Sequence, residues 1–552
     1  VEKTPRQVDR YQAALDYLLG RVNYEKSGHR PYSANHYKLN RMRALLGYLG
    51  NPQDRLPTIH IAGTKGKGST ATFLSAIARA AGYKTGLYTS PHFLKIEERF
   101  TVDGKQCEPD QLIELVEQLE KAEEKLVSDC GEQATFFELS TALAWLYFEA
   151  EKVDLAVIEV GLGGRLDSTN VCSPILTIIT SISFDHQAQL GNSIAEIAGE
   201  KAGIIKRKIP LVCGARHPEA REVIQRVAVE NQSPFLQLGE HFEAIWKSCV
   251  MNQDAGERDT TSKNTESKNT ESKDTESKDT ESKDTASKDT AKLPTTAVAP
   301  ISMPTSADLP SADRLLPEAR RPVLTSLVDY ETQAGELFQI LRDVIVGMPG
   351  RHQKDNAALA ITAAQWLKQL GWSIDPSQIR EGLQNAIARG RFEVVGTSPI
   401  RIIDTAHNEA SIRSLIEAMK DYFPKTRKIV LFAASRDKDI RAMLLELIPA
   451  IDLLVITQYR ESPRAISIEQ LQEIIAEVSS DLALKNPKKI SFQPLIAKDP
   501  AEAWEMGLQL SGPDDLLCAT GSFFFAAELF PVIGLRRFTK LTENNRIADG
   551  DN

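Results

Sequence analysis

His60-Ile61-Ala62-Gly63-Thr64-Lys65-Gly66-Lys67-Gly68-Ser69-Thr70 is the stretch on which the reading of this chain turns. The apolar run 58–62 predicts a buried strand, and three glycines follow it within six residues. Residues 71–81 then predict a helix, with Phe73, Leu74, Ile77 and Ala78 at helical spacing. Strand, glycine-rich turn and helix make a phosphate cradle. Glycine lets backbone N–H groups approach phosphate oxygens, and the helix N-terminus adds a favourable dipole. The usual order is G-x-x-x-x-G-K-[ST]. Here Lys67 precedes Gly68, so the motif is a variant.

The chain has 552 residues, too many for one ordinary core, so more than one domain is expected. A net charge of −9 argues against a nucleic-acid partner held by overall charge. The six cysteines form no C-x-x-C pair and no metal-ligand spacing, which reads as reduced thiols in the cytoplasm. Residues 1–5 carry no apolar core of a signal peptide, and no run of about 18 apolar residues predicts a membrane span.

Strands are expected at 85–89, 154–160, 175–180 and 209–213, alternating with helices at 109–125, 137–149 and 194–205. This alternation predicts a mostly parallel, doubly wound sheet whose ligands lie beyond the strand C-terminal ends. From Thr261 the composition changes to Thr-Glu-Ser-Lys-Asn/Asp units with a period of five, followed by a Pro/Ala/Ser stretch. No unit holds a core-forming residue, so 253–317 is expected to be a disordered insert. Helices are expected at 355–371 and 377–388, a hinge at 389–399, and a second α/β unit at 400–538. The strands of that unit are placed at 400–404, 428–433, 453–457 and 516–520, and a polar, disordered tail at 539–552. The expected fold is therefore α/β with two doubly wound domains. Residues 1–388 form a P-loop ATPase-like domain with a mostly parallel sheet, and a smaller Rossmann-like domain follows.

Several polar residues end these strands. Ser90 is fixed by Pro91, Glu159 stands beside a glycine-rich turn, His186 ends a third strand, and Lys201 lies one helix later. Each alone suits a surface or turn position. At one sheet edge with a phosphate loop, they suit a nucleotide and a metal.

At this point the sequence closely resembles the folylpolyglutamate synthase/dihydrofolate synthase branch of the Mur-type amide ligases. The resemblance rests on Gly63–Ser69, Thr89-Ser90-Pro91-His92, Phe137-Glu138-Leu139-Ser140-Thr141, the run from Glu159 to Asn170 and Glu200-Lys201-Ala202-Gly203-Ile204-Ile205-Lys206. Further on it rests on His352-Gln353, Asn356-Ala357, Gly390-Arg391-Phe392, Asp404-Thr405-Ala406-His407-Asn408 and Asp437-Lys438-Asp439. It spans roughly residues 20–250 and 345–530, and the run from Glu159 is its most specific part. There are departures. Ala388-Arg389 precede Gly390 where the family usually has Trp-Pro or Leu-Pro, Thr405 and Glu409 replace glycine and proline, and Phe184 and Gln187 are unusual.

The resemblance implies ligation of L-glutamate to a carboxylate through an acyl phosphate, with ATP as co-substrate. ATP would be bound by Thr64, Lys65, Gly66, Lys67, Gly68, Ser69, Asn356, Arg391, Asp404 and His407. Two Mg²⁺ would be held by Ser90, Glu159, His186 and an N-carboxylated Lys201, and the catalytic set would be Lys67, Lys201, His186 and Glu159. The pteroate or folate pocket would be Thr135, Phe136, Phe137 and Glu138 with Leu166, Asp167 and Ser168. Expected partners are small molecules: L-glutamate, dihydropteroate and reduced folates. No nucleic acid and no membrane is expected, and the chain is expected to be a cytoplasmic monomer. Folate extension alone, a cell-wall Mur ligase and a non-catalytic nucleotide-binding regulator are the other readings weighed.

Overall fold

Strand β1 (Thr58–Ala62) lies at the centre of an eight-stranded sheet. Its companions are β2 (Thr85–Tyr88), β3 (Phe100–Val102), β4 (Lys105–Gln106), β5 (Leu155–Glu159), β6 (Leu176–Ile179), β7 (Leu211–Cys213) and β8 (Phe235–Gln237). The order is β4-β3-β2-β5-β1-β6-β7-β8. Pairing is parallel from β2 to β8, and only the β2-β3-β4 edge is antiparallel. This computed structural model describes residues 5–23, 39–252, 323–335, 338–485 and 493–546.

The alternation of side chains along each strand explains the layering. Leu155 and Val157 of β5 pack with Phe73, Leu74 and Ile77 of the Lys67–Ala80 helix on one face. Ala156 and Ile158 pack with Leu139, Leu143 and Trp145 of the Phe136–Ala150 helix on the other. A strand buried on both faces needs apolar residues at successive positions, which is why β5 reads as an unbroken apolar run.

Three further strands were not expected from the sequence. β9 (Phe242–Asn252), β10 (Val323–Thr332) and β11 (Leu341–Val346) form an antiparallel sheet in the order β11-β10-β9. Phe242, Ala244, Val328 and Tyr330 join the core of the first domain, whereas Leu324 joins that of the second.

The second α/β unit holds β12 (Glu393–Thr397), β13 (Ile400–Ile403), β14 (Lys428–Phe432), β15 (Leu453–Ile456), β16 (Leu495–Ile496) and β17 (Leu516–Thr520), in the order β12-β13-β17-β14-β15-β16. Every pair is parallel except β12 with β13. This corrects the expected hinge at 389–399, because residues 393–397 are an edge strand paired Glu393 to Ile403. The C-terminal helix Phe523–Arg546 runs past Thr539, where a tail was expected, and seats Phe525, Leu529 and Phe530 in the core. Residues 547–552 lie outside the described residues. No described helix is long and apolar enough to cross a membrane.

The expected insert 253–317 also lies outside the described residues. Its attachment points are defined, because Asn252 and Val323 are register partners in β9 and β10. The chain therefore leaves and re-enters the sheet at one place. Loop-closure entropy grows only logarithmically with length. Replacing residues 253–322 by a short hairpin turn is expected to leave the melting temperature within about 2 °C of the parent by calorimetry, since closure changes by only about 0.6 kcal/mol per doubling of length. A fall of many degrees would show that the insert contributes packing.

Candidate active site

The carboxyl ends of β1, β5 and β6 open into a cleft of about 1350 Å³ between the two α/β units. The loop after β1 is pinned by the chain after β6. Thr64 N donates to Ser181 O at 2.7 Å, Lys65 N to Ser181 Oγ at 3.2 Å, and Thr180 Oγ1 to Lys65 O at 2.7 Å. Two glycines here have no alternative. At Gly63 (φ +147°) a Cβ would stand 1.8 Å from Thr180 Oγ1, and at Gly66 (φ +86°) it would stand 2.2 Å from Asn356 Oδ1. Asn356 is itself held by Gln353, whose Nε2 reaches Ser69 Oγ at 3.4 Å. The expected nucleotide residues 64–69 and 356 are thus brought together.

Two lysines converge on one acceptor. Lys67 Nζ donates to Gly63 O at 3.2 Å and Lys201 Nζ to the same oxygen at 3.0 Å. Lys201 is buried, and burial first, then the Lys67 charge, lowers its pKa to about 7. Glu159 is buried opposite, 4.0 Å from Lys67 Nζ, and accepts from Ser90 N at 3.3 Å. Burial raises its pKa against the opposing pull of Lys67 and Arg391. A desolvated carboxylate facing a phosphate loop suits a cation. Among the described residues no group of three or more His, Cys, Asp or Glu stands ready as a metal cage. Mg²⁺ commonly takes one or two carboxylates and completes its shell with water and substrate phosphates, so Glu159 with the Ser90 hydroxyl fits such a site.

His186 begins the short Gln187–Leu190 helix in a left-handed conformation (φ 51°), beside Asp185. Asp185 pairs with Lys65 at 2.8 Å. Lys65 Nζ also lies 3.5 Å from His407 Nε2 of the second domain. Nδ1 of His407 faces Thr405 O at 2.8 Å, so it carries the proton and leaves Nε2 as the acceptor toward Lys65. Asp404 is occupied as a turn organiser, accepting from Phe392 N at 2.9 Å and Ala406 N at 2.8 Å. The Arg391 charge acts on both Asp404 and Glu159, and so bridges the two units. Thr405, a departure from the family pattern, donates its N–H and its hydroxyl to Gly390 O, each at 3.0 Å, and so ties the connection shut.

The expected acceptor pocket forms on the flank where Phe137, Leu166, Asp167 and Ser168 line the cleft. Two of its residues behave differently from expectation. Phe136 has no exposed surface and packs under the Arg99 guanidinium at 5.0 Å, so it is core and does not line the cleft. Glu138 closes a capping box with Thr135 and takes Arg41 Nε on both oxygens at 3.0 Å, so it builds the wall rather than standing free. Arg41 was not foreseen, nor was Phe93, which stacks on Phe523 of the second unit at 4.2 Å. Neither carries a local motif, because both contacts join distant parts of the chain. Lys438, from the Asp437-Lys438-Asp439 stretch, acts by its charge on Lys65, Asp185 and His407.

The Mur ligase middle domain matches residues 61–275, and the Mur ligase glutamate ligase domain matches residues 390–523. The chain is 31% identical over 522 residues to the dihydrofolate synthase/folylpolyglutamate synthase of Bacillus subtilis, covering 94% of this chain and 98% of that protein. It is 29% identical to the folylpolyglutamate synthase of Lacticaseibacillus casei, covering 88% of this chain and 92% of that one. The structure of Mycobacterium tuberculosis folylpolyglutamate synthase complexed with ADP superposes with a TM-score of 0.72 at 26% identity, covering 96% of this chain and 99% of that one.

Lys201 has a measurable signature. Between pH 7 and the ordinary lysine value of 10.5 the unfolded chain holds a proton there that the folded chain lacks. Stability therefore rises with pH across that window, and the full burial penalty applies below it. In CO₂-free buffer, Lys201→Met is expected to be more stable than the parent at pH 6. That advantage should shrink by roughly 1.4 kcal/mol per pH unit above 7 in urea titrations. An advantage that does not change with pH would contradict the assigned burial of this amine.

Proposed function

We infer that this chain, which belongs to the dihydrofolate synthase/folylpolyglutamate synthase family of Mur ligases, uses ATP to join L-glutamate to the carboxylate of a folate-type acceptor. The observation that carries this is the single cleft in which the phosphate loop, the buried Glu159 and the Phe137–Asp167 flank all meet.

The first step needs an acceptor carboxylate oxygen to attack the γ-phosphorus while ADP leaves. Little covalent help is required, but the charge on the phosphate oxygens must be spread. Backbone amides of the loop, Lys67 at the mouth of the Lys67–Ala80 helix, and Arg391 from the second unit supply that positive field. Once ATP is bound, its phosphates compete with the Gly63 carbonyl for Lys67. Mg²⁺ would add charge neutralisation, with Ser90, Glu159 and His186 as the residues proposed to hold it. The amine of L-glutamate then attacks the acyl carbon, loses a proton, and phosphate departs. Asp404 organises the second domain's turn, and His407 Nε2 lies 3.5 Å from Lys65 Nζ, which sets that turn against the loop that would hold ATP.

Lys201 suits N-carboxylation. A neutral amine is the form that adds CO₂, and a pKa near 7 leaves a large neutral fraction at working pH. The carbamate would turn a buried cation into an anion facing Lys67 and the metal site. Protein equilibrated with ¹³C-bicarbonate is expected to give one carbamate carbon signal by NMR, absent in Lys201→Arg. No signal in the parent would remove this part of the reading.

Two acceptors are chemically equivalent at the reacting carboxylate: dihydropteroate, and a reduced folate elongated at its γ-carboxyl. We propose that the chain uses both. The Leu166, Asp167 and Ser168 positions support the first, and kinship with relatives named for one or both activities supports the second. Purified protein with ATP, Mg²⁺ and L-glutamate should convert 7,8-dihydropteroate to dihydrofolate and extend tetrahydrofolate, with products resolved by chromatography. Extension of tetrahydrofolate alone would leave the polyglutamylating activity only. No glutamate-dependent ADP release with either acceptor would overturn the ligase reading.

A further inference from the structure

Asp167 is a buried carboxylate on the cleft wall, and its orientation is set by three hydrogen bonds from protein donors. Leu162 N donates to Oδ2 at 2.9 Å, Thr169 N to Oδ1 at 3.0 Å, and the Thr169 hydroxyl to Oδ1 at 2.5 Å. The chain continues inward, because Thr169 Oγ1 lies 2.8 Å from Nε2 of His60 on β1. Directions follow from chemistry. A carboxylate only accepts, so the threonine hydroxyl gives its proton to Asp167 and must receive one from His60. The imidazole is then the neutral Nε2–H tautomer. That agrees with its setting: the ring has no exposed surface, and Nδ1 meets no donor or acceptor among the described residues. A protonated ring would bury an unsatisfied N–H.

We propose that His60 and Thr169 are positioning residues for the acceptor, holding the Asp167 carboxylate in the orientation that receives ring N–H groups of the pterin. The proposal rests on the reading that Asp167 lines the acceptor pocket. Oδ2 carries one of the three bonds and retains capacity to accept from a ligand. His60 stands three residues before Gly63 on the strand that feeds the phosphate loop. One hydrogen-bonded strut thus connects the element that places the γ-phosphate with the group that places the acceptor. The reacting carboxylate must sit within bonding reach of phosphorus, so the separation of these two anchors sets which acceptor length fits.

The strut is not what keeps the loop folded. Asn170 Nδ2 donates to Arg165 O at 3.0 Å and to Gly203 O at 3.1 Å. Lys206 Nζ donates to Asn170 Oδ1 at 2.7 Å, and Arg165 N to Glu200 O at 2.8 Å. These bonds fasten the loop to the Lys201 helix without His60 or Thr169. Removing the Thr169 hydroxyl should therefore loosen the Asp167 carboxylate, which keeps its bonds from Leu162 N and Thr169 N, and leave the backbone in place.

The test compares Thr169→Val, Thr169→Ser, His60→Leu, His60→Gln and Asp167→Asn by steady-state kinetics, with 7,8-dihydropteroate and tetrahydrofolate as separate acceptors. Thr169→Val and His60→Leu should raise acceptor KM about tenfold, the scale of one lost hydrogen bond to a charged group. The KM for ATP should stay within about twofold, below the roughly 5- to 150-fold effects typical of coupled sites. Thr169→Ser and His60→Gln keep an oxygen or a donor in place and should restore acceptor KM. Equal rises in both KM values, or no rescue by serine, would mean a merely structural role and overturn the proposal. Asp167→Asn separates the two levels of inference. If it leaves acceptor KM unchanged, the acceptor-pocket reading itself fails. If it raises KM while Thr169→Val in folded protein does not, only the strut fails. Should Thr169→Val not fold, the His60→Leu and His60→Gln pair decides by the same criterion.

Discussion

The carbonyl oxygen of Gly63 holds two lysine side chains at once, and much of the site depends on that convergence. Two ammonium groups on one oxygen repel each other, so the pair is tolerable only if one is neutral or another anion arrives. Burial already lowers Lys201 toward neutrality. Phosphate would draw Lys67 away. Glu159, desolvated across the cleft, waits for positive charge of its own. Lys67 and Lys201 thus share one carbonyl with Glu159 4.0 Å from Lys67, and ATP with its cation would bring both signs of charge to them. Such preorganisation costs folding stability, which the two-sided apolar packing of β5 and its neighbours offsets.

The second constraint is steric. Gly63 and Gly66 cannot carry a Cβ because Thr180 and Asn356 occupy that space. The phosphate loop is therefore shaped from outside, by the strand beside it and by the Gln353–Gln369 helix more than 280 residues later. That helix ties the far end of the first domain to its first motif. The β9–β10 hairpin does something similar for the domain boundary, with Val328 in one core and Leu324 in the other. Arg351 reinforces it by pairing both nitrogens with Asp421 at 2.7 Å.

What could be read in advance was local. The strand–glycine–helix unit, Glu159 at a strand end and the doubly wound alternation all follow from short windows. The capping box at Thr135 and Glu138 follows the local pattern T-x-x-E, which puts Glu138 in the service of its own helix. Its assignment to the pocket came from resemblance instead. Which of Phe136 and Phe137 faces the cleft was not legible, because successive residues at a helix start differ by about 100° and nothing in the chain fixes the zero of that angle. Arg41 meets Glu138 across 97 residues, a contact without local signature. β12 was hidden because an edge strand of five residues with an internal glycine reads as a loop.

The placement of the acceptor follows from where rigidity lies. The run from Gly161 to Asn170 is bonded to the Lys201 helix through Arg165 and Asn170, and to β1 through Thr169. The opposite wall belongs to the second unit, joined at the cleft by Phe93 on Phe523 and by Lys65 near His407, and behind it by Arg351 paired with Asp421 and by Tyr422 Oη donating to Thr325 O at 2.8 Å. The run from Gly161 to Asn170 and the phosphate loop are thus one hydrogen-bonded body, so a ligand seated on that run keeps a fixed distance to whatever the loop holds.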